Sequence, residues 1–178
     1  MTVTGGTPVT VELALPGPAA RACLQEQFPD PGTDGGQWQS VAAALALLRR
    51  LVVISGGPGT GKTTTVAKLL ACLLADAPAL RIALAAPTGK AATRLGASLS
   101  RTQGLSPAVR ARLQAVPMTV HRLLGYGPEG FRYHAGRRLP FDVVVIDEAS
   151  MLDVSLATRL LEAVPDEEIG RASCRERV

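Results

Sequence analysis

The sequence predicts an α/β domain built on a parallel β-sheet, and three observations carry that prediction. Short apolar runs recur at 51–54, 82–86 and 141–146, the last interrupted only by Asp142, the pattern of strands buried on both faces. Each is followed by a stretch with apolar residues at helical spacing, so strands alternate with helices. The turn after the first run is dense in glycine, as expected where a strand hands over to a helix around a bound anion.

Taken in order, residues 1–36 are rich in Pro and Gly, and read as a tail or linker. A helix is expected from Trp38, with Val41, Ala44, Leu45 and Leu48 lining one face at three- and four-residue spacings. The strand at 51–54 and the glycine turn lead into a helix over about 62–74 that packs Val66, Leu69, Leu70 and Leu73. A second strand at 82–86 turns through Pro87 to Gly89 into a helix over about 90–100. Helical pieces reach to about Leu124, and 125–136 reads as a loop or short hairpin. The strand at 141–146 precedes a closing helix from Asp153 to Val164, with Val154, Leu156, Leu160 and Leu161 apolar. The expected domain spans 37–165, with a C-terminal tail at 166–178.

A chain of 178 residues, 47% hydrophobic, is long enough for one sizeable core. Cys23, Cys72 and Cys174 are far apart and odd in number, which supports neither a disulfide framework nor a CxxC metal or redox site. A reducing, cytoplasmic setting fits. No stretch approaches the roughly 18 unbroken apolar residues of a membrane helix, so no membrane partner is expected. The net charge of +4 is unevenly spread: residues 88–140 hold nine basic side chains against one acidic, Glu129. Such a stretch is either a solvated basic surface or a face for a polyanion.

Gly56, Gly57, Pro58, Gly59, Thr60, Gly61, Lys62 and Thr63 satisfy GxxxxGK[ST] between a buried strand and an amphipathic helix. Glycines let successive amide hydrogens curl toward phosphate oxygens, and the helix start adds partial positive charge. Lys62 is expected at the β and γ phosphates of ATP, and Thr63 as a hydroxyl ligand to Mg2+. Asp147 and Glu148 directly follow the strand at 141–146, which puts both carboxylates at the sheet edge where ligands bind. Asp147 is expected to hold Mg2+, and Glu148 to orient and deprotonate the attacking water. An Asp-Glu pair alone would read as a helix start; beside the loop it reads as catalytic.

Together with Trp38-Gln39, residues 54–65 including Thr64, the Ala-Pro-Thr-Gly-Lys-Ala-Ala of 86–92, the Thr-Val-His-Arg-Leu-Leu-Gly of 119–125 and the Asp-Glu-Ala-Ser-Met of 147–151, these motifs resemble superfamily 1 DNA helicases. The likeness runs from about Phe28 to Pro165. It implies a RecA-like domain of a 5′ to 3′ motor on single-stranded DNA, working with partner subunits in an exonuclease complex that resects double-strand breaks. It also implies that Gln39 contacts adenine, that Thr88, Lys90 and Arg94 touch the DNA backbone, and that His121 lies near DNA. An ordinary helix-start polar residue at Gln39, a simple helix cap at Thr88 and a structural role for His121 remain the competing readings. So do a nucleotide-binding module without a motor and another kind of superfamily 1 helicase.

After Pro165 the family pattern would continue into another core strand and a second lobe carrying an arginine finger. Residues 166–178 show no apolar strand, so the expected fold is incomplete, with a tail from about Glu168 unrelated to the gene. A single lobe is expected to bind ATP, hydrolyse it poorly and leave DNA unwound.

Overall fold

The computed structural model describes residues 16–29, 34–57, 59–113, 117–165 and 173–175, with the backbone alone at 34–37 and 173–175. Helices α1 (Pro18–Gln27) and α2 (Asp34–Leu48) precede strand β1 (Val53–Ser55) and helix α3 (Lys62–Asp76). Strand β2 (Ile82–Ala86) leads to α4 (Gly89–Arg101), α5 (Pro107–Leu113), β3 (Met118–Thr119) and the single turn α6 (Val120–Leu123). A hairpin of β4 (Tyr126–Gly127) and β5 (Gly130–Phe131) follows, then β6 (Val143–Ile146), a 3₁₀ turn at Ala149–Met151, α7 (Val154–Ala163) and β7 (Ser173–Arg175). The main sheet has the order β1-β7-β6-β2-β3, with every pairing parallel.

This is a RecA-like α/β domain, and the alternation of its central strands explains its layers. Leu84, Val143 and Val145 point into one core with Val66, Leu69 and Leu70 of α3 and Leu95 and Leu99 of α4. Ala83, Ala85, Val144 and Ile146 point into the other, with Val120, Leu123, Leu156 and Leu160. Both faces of β6 are therefore covered and all four of its residues are buried, as a parallel strand requires. The pairing of Ala83 with Val144 and Ala85 with Ile146 sets small beside large. At its start, Asp142 accepts three hydrogen bonds from Arg81, one from the backbone amide and two from the guanidinium.

Five expectations need correction. Part of the stretch read as tail or linker forms α1, because the Asp76 carboxylate accepts from the amides of Gly17 (2.6 Å) and Ala20 (3.1 Å) at its N-terminus. Helix α2 starts at Asp34 and turns Ala43, Ala46 and Leu47 inward, leaving Val41 and Leu45 each 44% exposed. Its sequence is apolar nearly all round, so spacing alone does not fix the buried face. Val154 and Leu161 of α7 are likewise exposed. Finally, the polar 166–178 tail supplies β7, since parallel backbone pairing needs no apolar side chain. The strands at 51–54 and 141–146 begin two residues later than expected. Among the described residues, no helix is long and apolar enough to cross a membrane.

Candidate functional site

The glycine loop leaves the C-terminal end of β1 and closes at the first residue of α3. Gly59 (φ +75°) and Gly61 (φ +80°) adopt left-handed conformations, which side-chain-bearing residues avoid; Pro58 lies outside the described residues. Lys62 folds back so that its Nζ donates to the carbonyls of Gly56 (2.7 Å) and Gly57 (2.8 Å). Thr60 Oγ1 donates to Gly57 O (2.9 Å), and Thr65 Oγ1 to Gly61 O (3.0 Å). Thr63 is half-buried in the first turn of α3 and Thr64 is exposed. A loop of this shape, with an ammonium inside it and a helix N-terminus behind it, is a receptor for phosphate oxygens.

Gln39 reaches the same loop, its Nε2 donating to Thr60 O at 3.0 Å. It closes over Gly61 so tightly that a Cβ there would meet Nε2 at 2.9 Å. Beside it opens a cleft of about 600 Å³ lined by Val41, Leu45, Val53, Ile54 and the 75% exposed Trp38. Spacing missed this apolar wall because Val41 and Leu45 read as core residues.

Asp147 and Glu148 leave the C-terminal end of β6, parallel to β1 in the sheet, so both motifs share one sheet edge. The Asp147 amide donates to Ala85 O (2.9 Å), and its Oδ1 accepts from the Glu148 amide (3.1 Å). Glu148 is the one non-glycine with positive φ among the described residues (φ 51°, ψ 38°). A carboxylate residue held there carries backbone strain of about 1–2 kcal/mol, and such strain clusters at functional positions.

The basic stretch divides. Arg110 donates to the carbonyls of Ser100 and Thr102 at the end of α4, Arg112 to those of Pro78 and Leu80, and Arg138 to those of Glu162 and Val164 at the end of α7. Arg110 and Arg138 thus cap helix ends, and Arg112 ties down the turn between α3 and β2. Arg132 and Arg137 lie over the Tyr133 ring at 5.7 and 6.0 Å. Lys90 and Arg94 project one turn apart from the exposed side of α4, and no hydrogen bond or ion pair engages either among the described residues. Thr88 caps that helix, its Oγ1 accepting from Ala91 N at 3.2 Å. His121 is exposed and packs edge-on against Tyr126 at 5.6 Å and tilted against Phe131 at 6.0 Å.

The fold and loop define a P-loop NTPase domain, and the comparisons agree: residues 39–170 match the AAA domain family, to which the chain belongs. Within it the sequence is RecD-like. It is 51% identical over 140 residues to the RecBCD enzyme subunit RecD of Mycolicibacterium smegmatis, covering 73% of this chain and 25% of that protein. It is 48% identical over 155 residues to the RecD subunit of Mycobacterium tuberculosis (83% and 26%). To the ATP-dependent RecD2 DNA helicase of Deinococcus radiodurans it is 48% identical over 116 residues (65% and 14%). The chain spans about a quarter of the length of the RecD subunits it matches.

Proposed function

We propose that this chain is the nucleotide-binding lobe of an ATP-dependent DNA helicase, a 5′ to 3′ motor on single-stranded DNA. Within a protein of its relatives' length, it would work beside RecB- and RecC-like subunits in the recombinational repair of double-strand breaks. The observation that carries the reading is the loop at 56–63 folded around Lys62, at the same sheet edge as Asp147 and Glu148.

Incoming β and γ phosphates replace the Gly56 and Gly57 carbonyls as partners of the Lys62 ammonium, a neutral acceptor giving way to a charged one. The amides of the loop, at Gly59, Thr60 and Gly61, bind the same oxygens. Gln39 orients the adenine, whose ring lies in the apolar cleft beside Trp38. The Thr63 hydroxyl and Asp147 carboxylate are hard oxygen donors and would hold Mg2+. When bound, that ion neutralises charge on the phosphates. Glu148 holds the attacking water and takes its proton, its αL backbone setting where the carboxylate stands. Lys90 and Arg94 meet backbone phosphates of DNA, with Thr88 positioning their helix and His121 beside the strand.

The test is ATP turnover by the full-length protein with and without single-stranded DNA, beside Lys62→Ala. DNA should stimulate turnover, and the substitution should abolish it. Turnover indifferent to DNA would leave a nucleotide-binding module and rule out the motor.

A further inference from the structure

Cys23 of α1 and Cys72 of α3 lie 49 residues apart in the chain, and their sulfurs are 2.9 Å apart in space. The two helices are fastened on either side of them. At one end the Asp76 carboxylate holds the amides of Gly17 and Ala20. At the other, Lys68 Nζ donates to Gln27 O at 2.7 Å and sits 5.2 Å over the Phe28 ring. Helix α1 therefore runs antiparallel to α3, and the cysteines meet midway between two polar clamps that fix their register. Neither thiol takes part in nucleotide chemistry, and α1 precedes the residues matched by the AAA domain family, 39–170.

We propose that Cys23 and Cys72 are an oxidative modification site, forming a reversible intramolecular disulfide in response to peroxide and stapling α1 to the helix that follows the phosphate loop. Cys23 is half-buried and Cys72 is fully buried, so Cys23 meets the oxidant first. Its thiol gives up its proton, the sulfur attacks one oxygen of hydrogen peroxide and the O–O bond breaks; the sulfur becomes a sulfenic acid and the departing hydroxide takes that proton to leave as water. The Cys72 sulfur then attacks the Cys23 sulfur, the S–OH bond breaks, and the departing oxygen leaves as a second water with the Cys72 proton. Two thiols lose two hydrogens in all, and one peroxide becomes two waters. Burial, reinforced by the hydrogen bond with Cys23, pushes the Cys72 thiol far above the usual range. That keeps Cys72 protonated and out of the first step, and its sulfur, 2.9 Å from that of Cys23, is the partner placed for the second. In a reducing compartment small thiols return the pair to its open form.

The experiment compares the reduced chain with the chain treated with graded hydrogen peroxide. Proteolysis under non-reducing conditions and mass spectrometry should find the Cys23 peptide joined to the Cys72 peptide, with the loss of two hydrogens. Closing so long a loop should raise the melting temperature by about 5–15 °C, reversed by dithiothreitol. Cys23→Ser, which changes the half-buried partner and leaves the buried one in place, should fold and show neither the linkage nor the shift. Both thiols remaining open to alkylation, Cys23 advancing to sulfinic acid, or Cys23 joined to Cys174 would each overturn the proposal. So would a Cys23–Cys72 linkage that leaves the melting temperature unchanged.

Discussion

Replacing Gly59 and Gly61 of the phosphate loop, and Gly89 at the start of α4, by alanine should produce a graded change in stability whose order follows from three local geometries. Gly89, the first residue of α4, has ordinary φ and open space where a Cβ would stand; Gly89→Ala should be stabilising by about 0.4–1 kcal/mol. Gly59 also has open space but φ +75°, so Gly59→Ala should destabilise by about 1–2 kcal/mol. Gly61 combines φ +80° with a Gln39 amide 2.9 Å from the new methyl. The side chain can swing away only by giving up its bond to Thr60 O, which adds about 0.5–1.5 kcal/mol. At about 2–4 °C per kcal/mol for a domain of this size, Gly61→Ala should melt roughly 3–14 °C below the parent protein. Thermal denaturation of the three variants, repeated in a Gln39→Ala background, separates the terms. Without Gln39, Gly61→Ala should fall to the level of Gly59→Ala. If Gly61→Ala behaved like Gly89→Ala, the left-handed loop would be refuted; if its effect were the same in both backgrounds, the Gln39 contact would be.

Two further variants probe the other parts of the site. Lys90→Ala with Arg94→Ala should reduce the slope of log affinity for DNA against log salt by about 2 while leaving nucleotide affinity intact; a parallel loss of nucleotide binding would show a folding defect. Glu148→Gly releases a strained backbone (φ 51°), so it should stabilise by about 1 kcal/mol and raise the melting temperature by about 2–4 °C, while ATP turnover by the full-length protein disappears. Lower stability would mean that the Glu148 side chain anchors the turn, and retained turnover would remove it from the reaction.

The loop at 56–63 and the Asp147-Glu148 pair were legible because each combines a local pattern with one topological rule. A glycine run between strand and helix folds much the same way wherever it occurs, and parallel strands deliver their following residues to a common edge. Features that depend on a distant partner were not legible in this way. Nothing around Cys23 announces Cys72, and nothing around Asp76, which reads as the end of α3, announces that its carboxylate will start α1. The face of α2 was misread for a related reason. Its run of alanine and leucine permits several buried stripes, and α3 selects the one carrying Ala43, Ala46 and Leu47, whose two alanines allow close approach.

The basic stretch from 88 to 140 shows how a correct count can hide unlike members. A cation's role is decided by what lies within reach of its head group, and a helix C-terminus offers carbonyls that a guanidinium can bind in pairs. Arg110 and Arg138 lie beside the ends of α4 and α7, so those helices take them up. Lys90 lies in the first turn of α4, where the helix presents amides and positive charge, and Arg94 one turn further along the same exposed side. Lys90 cannot cap that end, and the field that excludes it from an internal role favours an anion. Position along a helix, more than total charge, therefore distinguishes the exposed Lys90 and Arg94 from the arginines that hold the domain together.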